Sequence, residues 1–155
     1  MIFTTHEDIE APIEYVFAQV SDFAEIERAI LKRGAEVQRK VDQTPPGVGM
    51  AWEIAFDLRD KRREIEMTLV AYDPFDSMCF DVVSPSMDGG LVLELLALSR
   101  GRTRLTLKSK LKPKNLSARL MVQSLKLARK NLTQRYEMRV ASFARDVEVR
   151  YIRSA

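Results

Sequence analysis

The amino-acid sequence predicts an α+β fold with an antiparallel sheet of about seven strands and a long C-terminal helix. Apolar and polar residues alternate with a period of two through most of residues 35–111, which is typical of strands with one buried face. After Pro113 the chain contains no glycine or proline, and its apolar residues recur at helical spacing instead. Two short helices are predicted between the first strand and the rest of the sheet.

The N-terminal part is predicted to contain one strand followed by these two short helices. Residues 2–10 are rich in β-forming residues and form the strand. Pro12 stands where a helix can begin, and apolar residues follow it at helical spacing. Asp22 with Glu25 three positions later is typical of a capping box, and the second helix, which it begins, ends at Gly34.

The middle of the chain is predicted to form six strands joined mainly by hairpins. The clearest alternation runs from Met50 to Leu58, and the Asp-Gly-Gly sequence at 88–90 is typical of a hairpin turn. Turn-forming residues separate the strands at the other junctions. The predicted strands are 35–41, 50–58, 64–71, 78–82, 91–98 and 104–111.

One continuous amphipathic helix is predicted from Pro113 towards the end of the chain. Its apolar arc contains Met121, Leu125, Ala128, Leu132, Tyr136, Val140, Phe143 and Val147. Residues 147–151 also alternate as a strand would. The sequence therefore leaves open both the last turns of the helix and a homodimer formed through residues 147–152.

The composition is that of an ordinary globular protein. Of 155 residues, 46% are hydrophobic and 30% are charged, and this length predicts one domain spanning residues 1–155. No segment approaches the roughly 18 uncharged apolar residues of a membrane span, and the first residues do not resemble a signal peptide, so we expect a cytoplasmic protein. With one cysteine, Cys79, and one histidine, His6, neither an internal disulfide nor a Cys/His zinc site is predicted. No cofactor or metal is predicted.

The charge of the chain is distributed unevenly. Residues 108–155 carry 13 Lys and Arg and three acidic residues, a net charge of +10, whereas residues 1–107 carry a net charge of −7. A basic surface of this kind either binds an anionic partner or packs against the acidic part of the same fold or of a second copy. Only Tyr136 and Tyr151 are interleaved with the basic residues, which disfavours nucleic acid and leaves peripheral contact with anionic lipid open.

The order of a strand, two short helices, six strands and a long helix is that of the helix-grip fold, in which a curved sheet wraps around the last helix. Residues 9–17, IEAPIEYVF, and residues 20–22, VSD, resemble the start of the polyketide cyclase/dehydrase group of the START-like (SRPBCC) superfamily. That superfamily also contains the birch pollen allergen. Residues 46–52, PGVGMAW, and residues 101–105, GRTRL, are similar to the third strand and last hairpin of the group, and the resemblance covers nearly the whole chain.

The resemblance implies a hydrophobic cavity between sheet and helix, which the superfamily uses for lipids, sterols, polyketides, quinones and plant hormones. It also implies that the glycine loop at 47–49 acts as a flexible lid. The apolar faces supply the ligand-binding candidates Trp52, Ile54, Phe56, Ile65, Met67, Leu69, Phe80, Leu93, Leu95, Met121, Leu125, Leu132 and Tyr136. The same side chains would also suit a completely filled core. The pattern alone therefore does not decide between a cavity and a filled core.

Charged residues on apolar faces are the candidates for polar contacts, because burying them without a partner is unfavourable. Arg139 lies on the apolar arc of the long helix, and Arg63 begins an apolar strand face. Each is predicted either to hold an anionic or carbonyl head group or to form an internal ion pair, and Arg139 is the ligand-binding candidate. Arg39, Glu7 and Glu94 lie on similar faces and are candidates for ion pairs.

We therefore expect a protein that binds or carries a small hydrophobic ligand, such as a lipid, quinone or polyketide-like molecule, without covalent chemistry. One alternative is a polyketide cyclase or aromatase that uses Tyr136 or Glu94 for proton transfer, although the lack of an internal histidine disfavours it. Another is an interaction module that docks its basic C-terminal segment on anionic lipid or a protein, with binding that weakens steeply with salt. No catalytic residue is predicted.

Overall fold

One antiparallel sheet and four helices make up residues 1–154, the part of the chain that the computed structural model describes. The elements are β1 (Ile2–Ile9), α1 (Ile13–Val20), α2 (Phe23–Lys32), β2 (Glu36–Val41), β3 (Ala51–Leu58), β4 (Lys61–Asp73), β5 (Ser77–Val83), β6 (Met87–Ser99), β7 (Arg102–Pro113), α3 (Leu116–Leu127) and α4 (Arg129–Ser154). The strand order is β1-β7-β6-β5-β4-β3-β2, so the first and last strands pair. The predicted α+β fold with its seven-stranded antiparallel sheet is confirmed.

The two short helices begin as the sequence predicts. Pro12 precedes the first turn of α1, whose buried side chains include Val16 and Phe17. The carboxylate of Asp22 accepts a hydrogen bond from the backbone N–H of Glu25 at 3.2 Å and caps α2. Only this half of the capping box forms, because the Glu25 side chain pairs with Arg28 instead.

The hairpin of β3 and β4 has the register that alternation predicts. Trp52 pairs with Met67, and Phe56 pairs with Arg63. Residues 59 and 60 turn the chain with positive φ angles of 54° and 58°, which suit a tight two-residue hairpin. Since directly paired residues of adjacent strands lie on the same face of a sheet, this register places Arg63 on the same face as Phe56.

The turn between β5 and β6 differs from its predicted position. Residues 88–90 lie within β6, and the chain turns at residues 84–86 instead. A Cβ atom at Gly89 would collide with the carbonyl oxygen of Lys110 on β7, so this glycine permits close strand approach rather than a turn. The hydroxyl of Ser84 holds the actual turn by accepting a hydrogen bond from the N–H of Met87 at 3.0 Å.

The predicted continuous C-terminal helix is divided into α3 and α4 at Ala128, although no glycine or proline marks the break. The two helices contact different elements, since α3 packs against β7 whereas α4 packs against β1 and α1. One straight helix would not follow both surfaces, so tertiary packing overrides local helix propensity. The long helix is confirmed from Arg129, and residues 147–151 are helical within it.

A filled core lies on one side of the interior, where α1, α2 and α4 meet the sheet. Its fully buried side chains include Ile9, Met50, Leu69 and Met78. The loop before β3 is hydrogen-bonded to this region, since the N–H of Gly49 donates to the carbonyl oxygen of Leu69 at 2.9 Å. No residue of the 47–49 loop lines the cavity described below, so the structure does not support its predicted role as a lid.

Candidate functional site

A cavity of about 510 Å³ lies where β3 and β4, the turn before β6, β7 and helix α3 meet. This volume falls within the range of roughly 300–1,000 Å³ that is typical of small-molecule sites. The wall is largely apolar but contains several charged groups. The lining residues are Phe56, Leu58, Arg62, Arg63, Glu64, Ile65, Val82, Ser84, Pro85, Ser86, Met87, Asp88, Gly89, Lys110, Leu111, Met121 and Leu125.

The cavity brings together four of the predicted ligand-binding residues. Phe56 and Ile65 come from the β3–β4 hairpin, while Met121 and Leu125 come from the inner face of α3. Helix α3 begins at Asn115, whose side chain accepts a hydrogen bond from the N–H of Ala118 at 2.9 Å. The hairpin and the capped helix thus form opposite walls of the cavity.

Seven further candidates belong to the filled core rather than to the cavity wall. Trp52, Leu69, Phe80 and Leu95 are buried, and Ile54, Met67 and Leu93 are partly buried and packed against them. The indole N–H of Trp52 donates to a carboxylate oxygen of Glu27 at 2.8 Å, which satisfies its only donor. These positions face the interior as the alternation predicts, but farther along the strands from the cavity.

The three remaining candidates lie on α4 and do not line the cavity. Leu132 and Tyr136 are half-buried, whereas Arg139 is exposed to solvent. The Tyr136 hydroxyl donates to the carbonyl oxygen of Leu107 at 3.3 Å and lies 2.9 Å from the Ser109 hydroxyl. The prediction that Arg139 lies on the buried arc is therefore wrong, because that arc centres on Val140 and leaves Arg139 beyond its edge.

Arg63 is the unusual charge in the cavity wall. Its Nε atom is buried and has no hydrogen-bond partner. Arg63 forms no ion pair with any carboxylate in residues 1–154, while the neighbouring Arg62 pairs with Glu36 at 2.8 Å. An unsatisfied buried donor of this kind costs on the order of 1–3 kcal/mol.

Asp88 is the second charged group in the cavity wall with an incomplete set of partners. Its Oδ1 atom lies 3.3 Å from Nζ of Lys114 but accepts no hydrogen bond of acceptable geometry. Lys114 also donates from Nζ to the carbonyl oxygen of Ser84 at 3.1 Å, which ties the end of β7 to the turn. The cavity therefore contains an unpaired cationic group and a partly compensated carboxylate.

Of the other polar candidates from the sequence, Arg39 and Glu94 form ion pairs outside the cavity, whereas Glu7 forms none within residues 1–154. Arg39 is paired with Glu27 at 2.7 Å, which fits the predicted internal ion pair. Glu94 is exposed and pairs with Lys108 at 3.0 Å.

The sequence does not identify residues 84–88 as cavity residues, because it predicts the hairpin turn at 88–90. Within the described chain, no group of three or more His, Cys, Asp and Glu side chains is arranged to hold a metal ion.

A curved antiparallel sheet, two short helices and a long C-terminal helix around a partly apolar cavity define the START-like class of helix-grip proteins. The chain belongs to the family described as polyketide cyclase/dehydrase and lipid transport, whose model matches residues 1–148. This match confirms the resemblance that the sequence motifs indicate. No curated protein matches the sequence.

Solved structures share this fold at low sequence identity. The ZhuI aromatase/cyclase from Streptomyces sp. R1128 is 12% identical, with a TM-score of 0.67, over 94% of this chain and 93% of that chain. The protein TTHA0849 from Thermus thermophilus is 17% identical, with a TM-score of 0.66, over 100% and 99% of the two chains. A START superfamily protein from Mycobacterium smegmatis is 12% identical, with a TM-score of 0.57, over 88% and 97%.

Proposed function

We propose that the chain binds a small amphipathic molecule in this cavity. The apolar body of the ligand contacts Phe56, Ile65 and the α3 side chains, while a carboxylate or carbonyl oxygen of its head group accepts a hydrogen bond from Arg63. The observation that carries the proposal is the buried, unpaired Nε atom of Arg63 in a largely apolar wall. The family description, which includes lipid transport, supports the same class of ligand.

The chemistry of arginine favours an oxygen acceptor in the ligand. A guanidinium group carries its charge throughout the physiological pH range and presents several N–H donors in one plane. An incoming carboxylate can accept two of these donors together and compensate the charge, which an apolar molecule does not do. The ligand we expect is therefore a monoanionic or carbonyl-bearing lipid-like molecule rather than a plain hydrocarbon.

Binding or carrying the ligand, rather than a reaction, is the function that the site supports best. Tyr136 does not line the cavity, and burial raises the pKa of its hydroxyl, so this phenol stays protonated at neutral pH. Glu94 is exposed and also lies outside the cavity wall. The two proton-transfer candidates from the sequence therefore have no access to a ligand in the cavity.

A cyclase-like enzyme is the second candidate, and Asp88 is the observation in its favour. Its carboxylate lines the same cavity as Arg63 and has an oxygen without a hydrogen bond. A carboxylate placed in this way suits proton transfer from a carbonyl-containing chain polarised by the guanidinium group. The structural similarity to an aromatase/cyclase gives this candidate its substrate class.

The first experiment identifies what the cavity holds. Native mass spectrometry of freshly purified protein, followed by organic extraction, is expected to show a stoichiometric acidic or carbonyl-bearing apolar molecule. A protein that carries nothing, and that binds neither lauric acid nor lauryl alcohol in calorimetric titrations, would contradict the proposal. Conversion of the extracted molecule to a new product, lost in Asp88→Asn, would favour the enzyme instead.

The second experiment tests Arg63 with a pair of ligands that differ in the head group. Arg63→Met is expected to weaken lauric acid binding at least about tenfold, roughly 1.4 kcal/mol, and to change lauryl alcohol binding little. The matched control is Arg100→Met, which removes the same charge from an exposed turn outside the cavity. Equal effects on both ligands would show that Arg63 shapes the cavity without recognising the head group.

A further inference from the structure

The outer face of α3 exposes three leucines that no part of the described chain covers. Leu116, Leu120 and Leu127 have relative exposures of 72%, 56% and 93%. At about 100° per residue they lie within about 40° of one another on the helix. The opposite face is already packed, since Ala118 and Val122 are buried. The leucines lie along one line of the helix, with the exposed Gln123 between Leu120 and Leu127, and we call this row the α3 leucine stripe.

The α3 leucine stripe is separate from the face of α3 that lines the cavity. The residues of α3 that line the cavity, Met121 and Leu125, lie on the inner side of the helix, away from the three leucines. Helix α3 is therefore apolar on two faces, and only one of them contributes to the fold. A cluster of exposed leucines on one helix face is typical of a contact surface.

The charges around the stripe indicate the chemistry of the partner. Residues 95–136 contain twelve Lys and Arg and no Asp or Glu. Arg119 and Lys126 lie side by side along one flank of the stripe, and Arg129 and Lys130 follow it directly. All four are exposed, and none forms an ion pair with a carboxylate of residues 1–154.

We propose that α3 docks on an anionic lipid bilayer. Apolar side chains flanked by Lys and Arg on one helix face are what an interfacial helix presents to a membrane, with the leucines entering the boundary between head groups and acyl chains. The basic residues contact anionic head groups, each contributing to surface attraction. No helix in residues 1–154 is long and apolar enough to cross a membrane.

The charges and side-chain types of α3 favour a bilayer over a second copy of the chain or a nucleic acid. Docking a second copy through the same stripe would bring like charges together at Arg119 and Lys126, which is unfavourable. Nucleic acid would use the basic residues but leave the leucines without apolar contacts, and α3 has no aromatic side chain for stacking on bases. This inference goes beyond ligand binding and stands independently of what occupies the cavity.

Co-sedimentation with vesicles tests the proposal on the full chain. Vesicles of phosphatidylcholine alone are compared with vesicles that also contain phosphatidylglycerol, at low and high salt. The wild-type protein is expected to sediment with the anionic vesicles and to be largely released by high salt. Leu127→Glu and Leu120→Glu are each expected to lower the partition coefficient about tenfold or more, because each removes an apolar contact and adds a repelled charge.

The matched control is Leu96→Glu, which changes an exposed leucine with a relative exposure of 59% on β6. It is expected to bind vesicles nearly as the wild type does, apart from the small effect of one added charge. Circular dichroism and thermal unfolding verify that all variants are folded. Wild-type protein that ignores anionic vesicles, or α3 variants that bind as tightly as Leu96→Glu, would overturn the proposal. A dimer that Leu127→Glu dissociates, without vesicle binding by the wild type, would also overturn it.

Discussion

Gly89 illustrates how one missing side chain sets the spacing between two strands. It lies in β6, opposite Leu111 of β7, and lines the cavity. A Cβ atom added at this position would collide with the backbone oxygen of Lys110. The neighbouring Gly90 has no such contact, since its Cβ would lie 3.6 Å from the Phe80 oxygen, an ordinary van der Waals distance.

We expect Gly89→Ala to lower the free energy of unfolding by about 1–3 kcal/mol, because β6 and β7 must separate to admit the methyl group. Gly90→Ala is the control, and we expect it to be neutral or stabilising by up to about 1 kcal/mol. Urea unfolding of both variants measures the difference. Equal stability of the two variants would show that the strands adjust without cost.

Arg63 and Arg139, the two arginines proposed from the sequence as head-group contacts, show when the burial of a single residue can be predicted. Arg63 lies on a strand, where the strict alternation of side chains fixes which face it joins, and it lines the cavity. Arg139 lies on a helix at the edge of its buried arc, where a long side chain reaches solvent. The face of a strand residue is therefore easier to predict than the burial of a residue at a helix edge.

At the scale of elements, α2 is fastened to the sheet through one carboxylate. Glu27 of α2 accepts hydrogen bonds from Nε1 of Trp52 at 2.8 Å and from Nε of Arg39 at 2.7 Å. The hydrogen bond to Glu27 is also the main reason why the pKa of Arg39 is raised. Because Trp52 is only 5% exposed, its N–H has little access to water as a substitute partner.

We expect Glu27→Ala to destabilise the protein by about 1–3 kcal/mol, because it leaves the buried indole donor unsatisfied. Glu25→Ala removes a carboxylate from the same helix, but its pair with Arg28 is exposed, so we expect a change below about 1 kcal/mol. Thermal unfolding followed by near-ultraviolet circular dichroism, which reports on Trp52, distinguishes the two. A Glu27→Ala variant as stable as Glu25→Ala would contradict this role.

Local sequence patterns predicted most elements and failed where tertiary packing decides. The alternation in β3 and β4 follows from one face being buried, so the sequence reveals both strands and their pairing. The break at Ala128 lies where the packing changes from β7 against α3 to β1 against α4, and no glycine or proline at the break indicates it. The sequence does not reveal the turn at 84–86, because the Asp-Gly-Gly sequence at 88–90 is a stronger turn signal.

At the scale of the whole molecule, ion pairs link strands at each of the two ends of the sheet. Asp8 of β1 accepts a hydrogen bond from Nε of Arg104 on β7 at 2.8 Å, and this bond is the main reason why the pKa of Asp8 lies below its ordinary value. The pKa of Glu36 is lowered in the same way by Arg62, which joins β2 to β4. As the pH falls, these carboxylates are therefore protonated at a higher pH in the unfolded chain than in the folded protein.

This linkage predicts a loss of stability in acid. The stabilisation from Asp8 is fully present above about pH 4 and disappears as the pH falls through its lowered folded-state pKa. We expect the urea midpoint of Asp8→Asn to fall less steeply than that of the wild type between about pH 5 and pH 3. Asp57→Asn, at an exposed position without an ion pair, is expected to keep the wild-type slope. Identical slopes for all three proteins would contradict the linkage.

The position of the cavity along the sheet could not be predicted from the sequence. Ile54 and Ile65 are cross-strand partners on one apolar face, yet only Ile65 lines the cavity, while Ile54 packs against the core. Alternation indicates which face of a strand turns inward, but not which part of that face lies beneath the packed helices and which part lines the cavity.

The division of the interior into a filled core and a separate cavity has an evolutionary consequence. Side chains such as Leu69 and Val147 are fully buried in the core, whereas Phe56, Ile65 and Met121 line the cavity. Replacing a core residue opens a void that the tightly packed neighbours do not fill, but replacing a wall residue alters a space that is already open. Selection can therefore reshape the cavity for a different molecule while the scaffold that supports it persists.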